Sequence, residues 1–198
     1  MELHYLVIIG LIVNLTGSLA YVRDTLLGRS QPNRVTFFLW ALAPFIATVA
    51  ALSQGVTWAA LAIFSSGICP FLIFLASLNN RHAKWELGKF DWICGALSVA
   101  ALVLWGITKN ANIAIVFAIL SDGAASLPTL KKCWTHPQSE TIWAYLTGLF
   151  SASMGLVVAN NTTFQEIAFP IYLVLVCAAL AGFILIGHWR KAQHANAI

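Results

Sequence analysis

The chain has 198 residues, of which 60% are hydrophobic and 9% charged, with a formal net charge of +4. A soluble globular domain has about 45–50% apolar and about 25% charged residues, so this chain has too few charges to cover a water-facing surface. The composition excludes a soluble enzyme, a nucleic-acid-binding domain and a disordered tail. It predicts a multi-pass membrane protein, in keeping with its mean hydropathy of +0.81.

Apolar runs bounded by charges or by Gly, Asn and Pro predict seven membrane-spanning helices. These runs cover residues 3–22, 35–53, 56–78, 90–107, 111–130, 141–159 and 165–188. Neither Lys nor Arg precedes the first run and no small-residue cleavage site follows it, so we expect it to stay in the membrane as a helix. The predicted fold class is an all-α integral membrane protein.

The basic residues predict the orientation of these helices. With seven spans, ten of the 11 Lys and Arg residues fall on one side of the membrane: Arg23, Arg29, Arg34, Arg81, Lys84, Lys89, Lys131, Lys132, Arg190 and Lys191. Lys109 falls on the other side. Because basic loops stay in the cytoplasm, we expect a cytoplasmic C-terminus and an outside N-terminus in a plasma membrane. The very short loops favour a bacterial inner membrane.

Two segments of the chain match each other at an offset of 105 residues. Pro32 corresponds to Pro137, and Thr36 corresponds to Thr141. A single linker span between two three-helix units gives both units the same orientation, and parallel repeats of this kind are one way to build a transporter. The predicted units are a first repeat, a loop with the linker helix, and a second repeat with a short tail, at residues 1–78, 79–110 and 111–198.

The predicted helices form a 3+1+3 arrangement in a small chain, and the fifth contains the segment Ser126-Leu127-Pro128-Thr129-Leu130. In these features the chain resembles the PQ-loop superfamily, which includes the SWEET sugar transporters. The family has a Pro-Gln pair near the inner end of the first helix of each repeat. Pro128-Thr129 takes that position here, and the first repeat has no matching proline. The resemblance implies a carrier that rocks two halves around a central site. Sugar-transporting members have Asn in the third helix of each repeat, which spans 3 and 7 lack, so an amino-acid-like solute is equally open.

Asp122 is the most informative polar residue, because it lies inside the fifth apolar run. An ionisable side chain at that depth costs on the order of 2.5–3.5 kcal/mol, so it usually faces a cavity or a partner. No basic residue lies at a matching depth to neutralise it. At such a position Asp122 could couple solute movement to protons or pair with a cationic solute. The alternative is a structural aspartate that bonds to serines or backbone groups of neighbouring helices.

Further polar residues extend this predicted solute path. Ser126 and Thr129 follow Asp122 by four and seven residues, which places all three on one helical face. The complete predicted path is Asp122, Asn14, Ser18, Tyr21, Ser126, Thr129, Trp143, Ser65 and Ser66. Close helix packing is the alternative role of the two serines of span 3. An interfacial anchor is the alternative role of Trp143, which could instead stack on a flat solute.

Prolines inside the spans are candidate hinges. A proline within a helix removes one backbone hydrogen bond and leaves a kink that can flex. The candidates are Pro128, Pro44, Pro70 and Pro170. Static kinks are the alternative, since membrane helices tolerate proline.

The four cysteines indicate no chemistry of their own. Cys69, Cys94, Cys133 and Cys177 have no CxxC spacing, and three of them fall inside apolar runs. Buried thiols usually behave as small hydrophobic groups. The sequence therefore predicts no disulfide framework, no metal site and no cofactor.

The predicted function is a membrane transporter for a small polar solute, sugar or amino-acid-like, that works by alternating access between the two repeats. A proton link through Asp122 is one option. The alternative is a PQ-loop-like receptor or assembly component that binds without transport. An enzyme is not expected, because the chain has no HExxH or paired-carboxylate spacing. The expected partners are the solute and the lipid bilayer, without nucleic acid, and a homo-oligomer stays open.

Overall fold

The structure, a computed structural model, describes residues 4–53, 58–79, 85–107, 111–158 and 164–195. Within these ranges the chain forms seven α-helices and one short 3-10 turn, and the described residues include no strand. The helices are α1 (His4–Leu26), α2 (Arg34–Ser53), α3 (Trp58–Asn79), α4 (Lys89–Ile107), α5 (Ala111–Thr135), α6 (Ile142–Val158) and α7 (Phe164–Ala195). The 3-10 turn spans Pro137–Ser139, between α5 and α6. The all-helical fold class is confirmed. Three basic residues used for the orientation, Arg81, Lys84 and Lys109, lie outside the described ranges.

The helices coincide with the apolar runs, but α1, α5 and α7 continue past them. An apolar run ends where charges begin, whereas a helix continues until a residue stops it. α1 gives way at Gly28, whose φ of 72° lies in the left-handed region that favours glycine. α5 ends at Thr135, two residues before Pro137.

Pro44, Pro70, Pro128 and Pro170 all lie inside helices that continue on both sides of the proline. Neighbouring helices can satisfy the backbone groups that a proline leaves free, so such positions are compatible with regular helices. Their role as hinges stays a prediction.

The helices pack in a similar order in the two halves of the chain. In the first half α3 contacts both α1 and α2, and in the second half α7 contacts both α5 and α6. The halves meet where α1 packs along α6 and, less extensively, where α2 packs against α5. α4 packs against α5 and α2, so it touches both halves.

The loops after α1 and α5 meet at one end of the bundle, which we call the basic end. The Gln31 N–H donates to the Ser139 carbonyl oxygen at 2.9 Å, joining the two loops. The Arg190 guanidinium of α7 donates to the Trp134 carbonyl oxygen at 2.9 Å and stacks on the Trp134 ring. Lys132 of α5 and Lys191 of α7 also bond to these two loops, at Gln31 and Gln138, so basic side chains gather at this end.

Many polar side chains are buried in the bundle and many large apolar side chains are exposed, which is unusual for a water-soluble protein. Polar side chains are buried on α1, α3, α4 and α5: Asn14, Ser18, Ser65, Ser98, Ser121, Asp122, Ser126 and Thr129. Large apolar side chains are more than half exposed on five helices: Ile12, Leu19, Leu97, Val103, Leu120, Val157 and Leu175. Polar side chains therefore share the interior with an apolar core, while large apolar side chains cover much of the outside.

Two helical stretches of the described chain, Tyr5–Leu26 and Ile167–Gln193, are each long and apolar enough to cross a membrane. They correspond to most of α1 and α7. Association of the chain with a membrane is therefore plausible from the length and composition of these two helices.

Candidate functional site

Asp122 lies where α5 meets α7 and α2. Its side chain is 7% exposed. Its Oδ2 atom accepts a hydrogen bond from the Tyr172 hydroxyl of α7 at 2.7 Å. Its backbone carbonyl accepts from the Trp40 indole N–H of α2 at 3.3 Å. We call Asp122, Ser126, Tyr172 and Trp40 the Asp122 site.

The remaining member of the Asp122 site, Ser126, lies one turn further along α5. Its hydroxyl donates to the Gly123 carbonyl oxygen at 2.7 Å and lies beside Tyr172. The Tyr172 ring also passes over Gly123, where a Cβ atom would stand 3.8 Å from it. This distance is an ordinary van der Waals contact, so Tyr172 packs over this turn of α5 without requiring a glycine there.

The Asp122 carboxylate has no basic neighbour among the described residues. Its side-chain hydrogen bonds within the described ranges involve Tyr172 alone. The other ionisable groups that face it are the Tyr172 hydroxyl and the Cys177 thiol, both on α7. The site therefore combines a buried carboxylate with one donor and no permanent positive charge.

A second buried carboxylate, Glu140, lies at the basic end. Its Oε1 atom forms an ion pair with Lys132 Nζ at 2.6 Å, and both side chains are 0% exposed. Its Oε2 atom accepts hydrogen bonds from the hydroxyls of Tyr21 at 2.5 Å and Tyr145 at 2.7 Å. We call Glu140, Lys132, Tyr21 and Tyr145 the Glu140 cluster.

The Glu140 cluster joins the two halves of the chain. Tyr21 belongs to α1 of the first half, whereas the other three residues belong to the second half. Lys132 Nζ also donates to the Gln31 carbonyl in the loop of the first half and lies 5.0 Å from the centre of the Trp85 ring. The two charged groups of the cluster are therefore paired within the second half, and Tyr21 and the Gln31 carbonyl connect this pair to the first half.

Two matched threonines make reciprocal bonds across the same boundary. Thr36 at the start of α2 donates to the Ala125 carbonyl oxygen of α5 at 2.8 Å. Thr141, which is 105 residues later and precedes α6, donates to Asp24 Oδ2 of α1 at 2.9 Å. Each threonine therefore bonds to the first helix of the opposite half.

The structure divides the predicted solute path into separate groups. Ser126 lies with Asp122, whereas Tyr21 lies in the Glu140 cluster. Ser18 of α1 bonds with the Cys69 thiol of α3, one turn from Asn14 and Ser65 on the same two helices.

The other path residues differ in burial. Thr129 is fully buried on α5, and Ser66 of α3 is half-buried. Trp143 is 60% exposed on the outside of α6, away from the Asp122 site. The buried indole beside Asp122 is that of Trp40 instead.

Two hydroxyl oxygens of the predicted path have no hydrogen-bond partner among the described residues. Ser65 Oγ on α3 and Thr129 Oγ1 on α5 are both buried and unbonded. Leaving a buried polar group unpaired costs about 1–3 kcal/mol. Both oxygens are therefore available to a ligand or a water molecule.

The sequence reasoning missed Glu140, Lys132, Tyr145, Tyr172 and Trp40 as site residues. Glu140 and Lys132 are eight residues apart across a turn, so no helical spacing links them. Tyr172 is a polar residue in span 7, and its proximity to Asp122 depends on the packing of α7 against α5. The signal that could have singled out Trp40 is its match with Tyr145 at the offset of 105 residues.

Comparison with known proteins adds no family assignment. A scan against protein-family models, a search of curated proteins and a search of solved structures gave no match for this chain. The resemblance to the PQ-loop superfamily stays a prediction. The function is accordingly argued from the Asp122 site and the Glu140 cluster.

Proposed function

We propose that the chain is a seven-helix membrane transporter of the PQ-loop type, which moves a small polar solute, sugar or amino-acid-like, by alternating access between residues 1–78 and 111–188. The observation that carries this proposal is the Asp122 carboxylate, buried between three helices without a basic partner among the described residues. A charge in such a place is costly, and in membrane proteins it usually marks a solute or proton pathway.

The exposed apolar side chains support seven membrane spans. Large apolar residues project outward from α4, α5 and α6 as well as from α1 and α7. These side chains would be unfavourable in water but are favourable in lipid. The gathering of basic residues at one end supports a cytoplasmic location of that end, with the N-terminus outside and the C-terminus in the cytoplasm of a bacterial cell.

Matched residues support two parallel three-helix repeats. Trp40 and Tyr145 correspond at the offset of 105 residues, and both are buried; Phe38 and Trp143 also correspond, and both are exposed. α2 and α6 therefore turn equivalent faces towards the interior. Together with the reciprocal bonds of Thr36 and Thr141, this favours an arrangement in which the halves move against each other.

In this proposed movement, the Glu140 cluster keeps the basic end of the bundle closed. It holds the first half to the second at the basic end through the bond from the Tyr21 hydroxyl to Glu140 and the bond from Lys132 to the Gln31 carbonyl. Opening a path at that end requires Tyr21 and the Gln31 carbonyl to leave the cluster. Asp122 lies ten residues before Lys132 on α5, so the Glu140 cluster is nearer the basic end than Asp122 is. Asp122 is also the group that would carry a proton if transport is proton-linked.

Flux in reconstituted vesicles tests the proposal. The full chain is placed in proteoliposomes that contain a pH-sensitive dye, and sugars and amino acids are added in turn. Proton movement triggered by a solute in the wild type and lost in Asp122→Asn supports a coupled carrier. If the pH is constant, counterflow of radiolabelled solute detects a carrier without coupling. A folded protein that gives neither signal contradicts the proposal.

The second candidate is a receptor or assembly component that binds a solute without moving it. The observation that favours it is the complete pairing of the Glu140 cluster, which holds the two halves together. A receptor would show a rise in melting temperature with ligand but no flux in the same vesicles. The two measurements made on one preparation therefore distinguish the candidates.

A further inference from the structure

We propose that the solute taken up at the Asp122 site is a small organic cation that carries an amine or quaternary ammonium group. This inference rests on the proposed transport function and specifies the class of substrate. It follows from three features: the charge of the site, its aromatic surroundings and the unpaired hydroxyl oxygen of Thr129 on the same helix face.

The charge argument comes from the difference between the two buried carboxylates. Glu140 has a lysine at 2.6 Å and two tyrosine hydroxyls, so its negative charge is fully compensated. Asp122 is equally buried, but among the described residues its carboxylate accepts a bond from the Tyr172 hydroxyl alone. Burying an uncompensated ion costs several kcal/mol, which a bound cation would recover. An anionic solute would increase the cost, and a neutral one would leave it unchanged.

Aromatic rings close to the carboxylate favour an organic cation. Trp40 lies within hydrogen-bonding distance of the Asp122 backbone, and its ring contacts that of Phe37 at a centroid separation of 5.4 Å. Tyr172 contacts Phe169 at 5.9 Å. Aromatic faces attract ammonium groups by their quadrupole. A bare calcium ion would instead require six or more oxygen ligands, which a carboxylate and a phenol do not supply.

The unpaired hydroxyl of Thr129 indicates that the solute is more than a simple ammonium ion. Thr129 is on the face of α5 that carries Asp122, and its Oγ1 atom is buried without a partner in the part of the chain that the structure describes. Seven residues of helix span about 10 Å. An elongated amine can place its charged group at Asp122 and a second polar group towards Thr129, which a compact ion cannot do.

Uptake of charged and neutral probes tests the inference with the full chain in proteoliposomes. The cationic probes are radiolabelled L-lysine and choline; the neutral and anionic probes are glucose, L-alanine and L-glutamate. We expect uptake of at least one cation to exceed that of every other probe by roughly tenfold or more, as is reasonable for one desolvated charge pair. Asp122→Asn should abolish this preference, and Asp122→Glu should retain part of it.

Gly155→Ala is the matched control, because a Cβ atom at Gly155 meets no atom within 4 Å. It should transport like the wild type. Preferred uptake of glucose or L-alanine would overturn the cation inference while leaving the transporter proposal intact. If no probe moves, the transporter proposal fails, and the cation inference is decided by binding: L-lysine or choline must raise the melting temperature of the wild type but not that of Asp122→Asn. Equal shifts, or none, overturn it.

Discussion

The two contacts between the halves of the chain differ at a pair of matched positions, Gly17 and Asp122, which are 105 residues apart. At Gly17, α1 approaches α6 so closely that a Cβ atom would lie 2.0 Å from Thr147 Oγ1 and 2.6 Å from the Trp143 carbonyl oxygen. At Asp122, α5 has room for a full carboxylate between α2 and α7. A small residue permits close backbone packing, as is common in membrane bundles. The first contact is therefore built for packing, and the second leaves space for polar chemistry.

The Glu140 cluster is a second difference between the α1–α6 contact and the α2–α5 contact. Tyr21 of α1 and Tyr145 of α6 bond to one carboxylate oxygen, so the close α1–α6 contact also carries a buried polar network. The α2–α5 contact has the bonds of Thr36 and Trp40 to backbone carbonyls, which depend on no charge. We therefore expect substitutions at α1–α6 to affect folding and substitutions at the Asp122 site to affect function.

The largest effect is expected for Gly17→Leu. The new side chain would overlap Thr147 and the α6 backbone, and only the Thr147 side chain could move. We expect a loss of monodisperse protein in size-exclusion chromatography. Adding Thr147→Ala should not restore it, because the Trp143 carbonyl is still 2.6 Å from the Cβ position. Gly155→Ala on α6 is the control. Wild-type yields of Gly17→Leu would disprove the close contact.

Lys132→Met should be the next most damaging change. It leaves Glu140 buried without its positive partner, which typically costs about 3–5 kcal/mol in the free energy of unfolding. The measurement is a thermal or denaturant melt in detergent, followed by tryptophan fluorescence. The double variant Lys132→Met, Glu140→Gln should recover most of the lost free energy of unfolding, since Glu140→Gln removes the unpaired charge. A single variant as stable as the wild type would show that the ion pair contributes nothing.

Asp122→Asn should separate function from stability. The amide oxygen can still accept the bond from Tyr172, and the substitution removes a buried charge that has no basic partner within the described ranges. We therefore expect a melting temperature equal to or above that of the wild type, with transport reduced by roughly tenfold or more. A destabilised variant would indicate that the carboxylate is structural, which is the alternative that the sequence left open.

Trp143→Ala should have the smallest effect. Its side chain is 60% exposed, and surface substitutions usually change the free energy of unfolding by less than about 0.5 kcal/mol. Transport should stay within about twofold of the wild type, whereas Trp40→Ala at the Asp122 site should lower it further. Loss of transport in Trp143→Ala with normal transport in Trp40→Ala would reverse the assignment of the two tryptophans.

Sequence reasoning located the helices and the most informative polar residue but not the partners of that residue. Asp122 stands out because any ionisable group in an apolar run is costly, whatever surrounds it. The Glu140 cluster was missed because Tyr21 and Glu140 are 119 residues apart, and no local pattern records a contact over that distance. The interpretation of Trp143 as a candidate stacking residue could not be tested without knowing how α6 is rotated in the bundle.

The sequence by itself determined the number, position and type of the helices, because the length and spacing of apolar runs are local properties that dictate backbone structure. It also determined that the Lys and Arg residues lie between or beyond the apolar runs and not inside them. Only the tertiary structure decided which buried carboxylate is neutralised and which is left with a single hydroxyl. The reason is physical: compensation of a buried charge depends on groups brought within about 3 Å by packing, and those groups come from helices that are far apart along the chain.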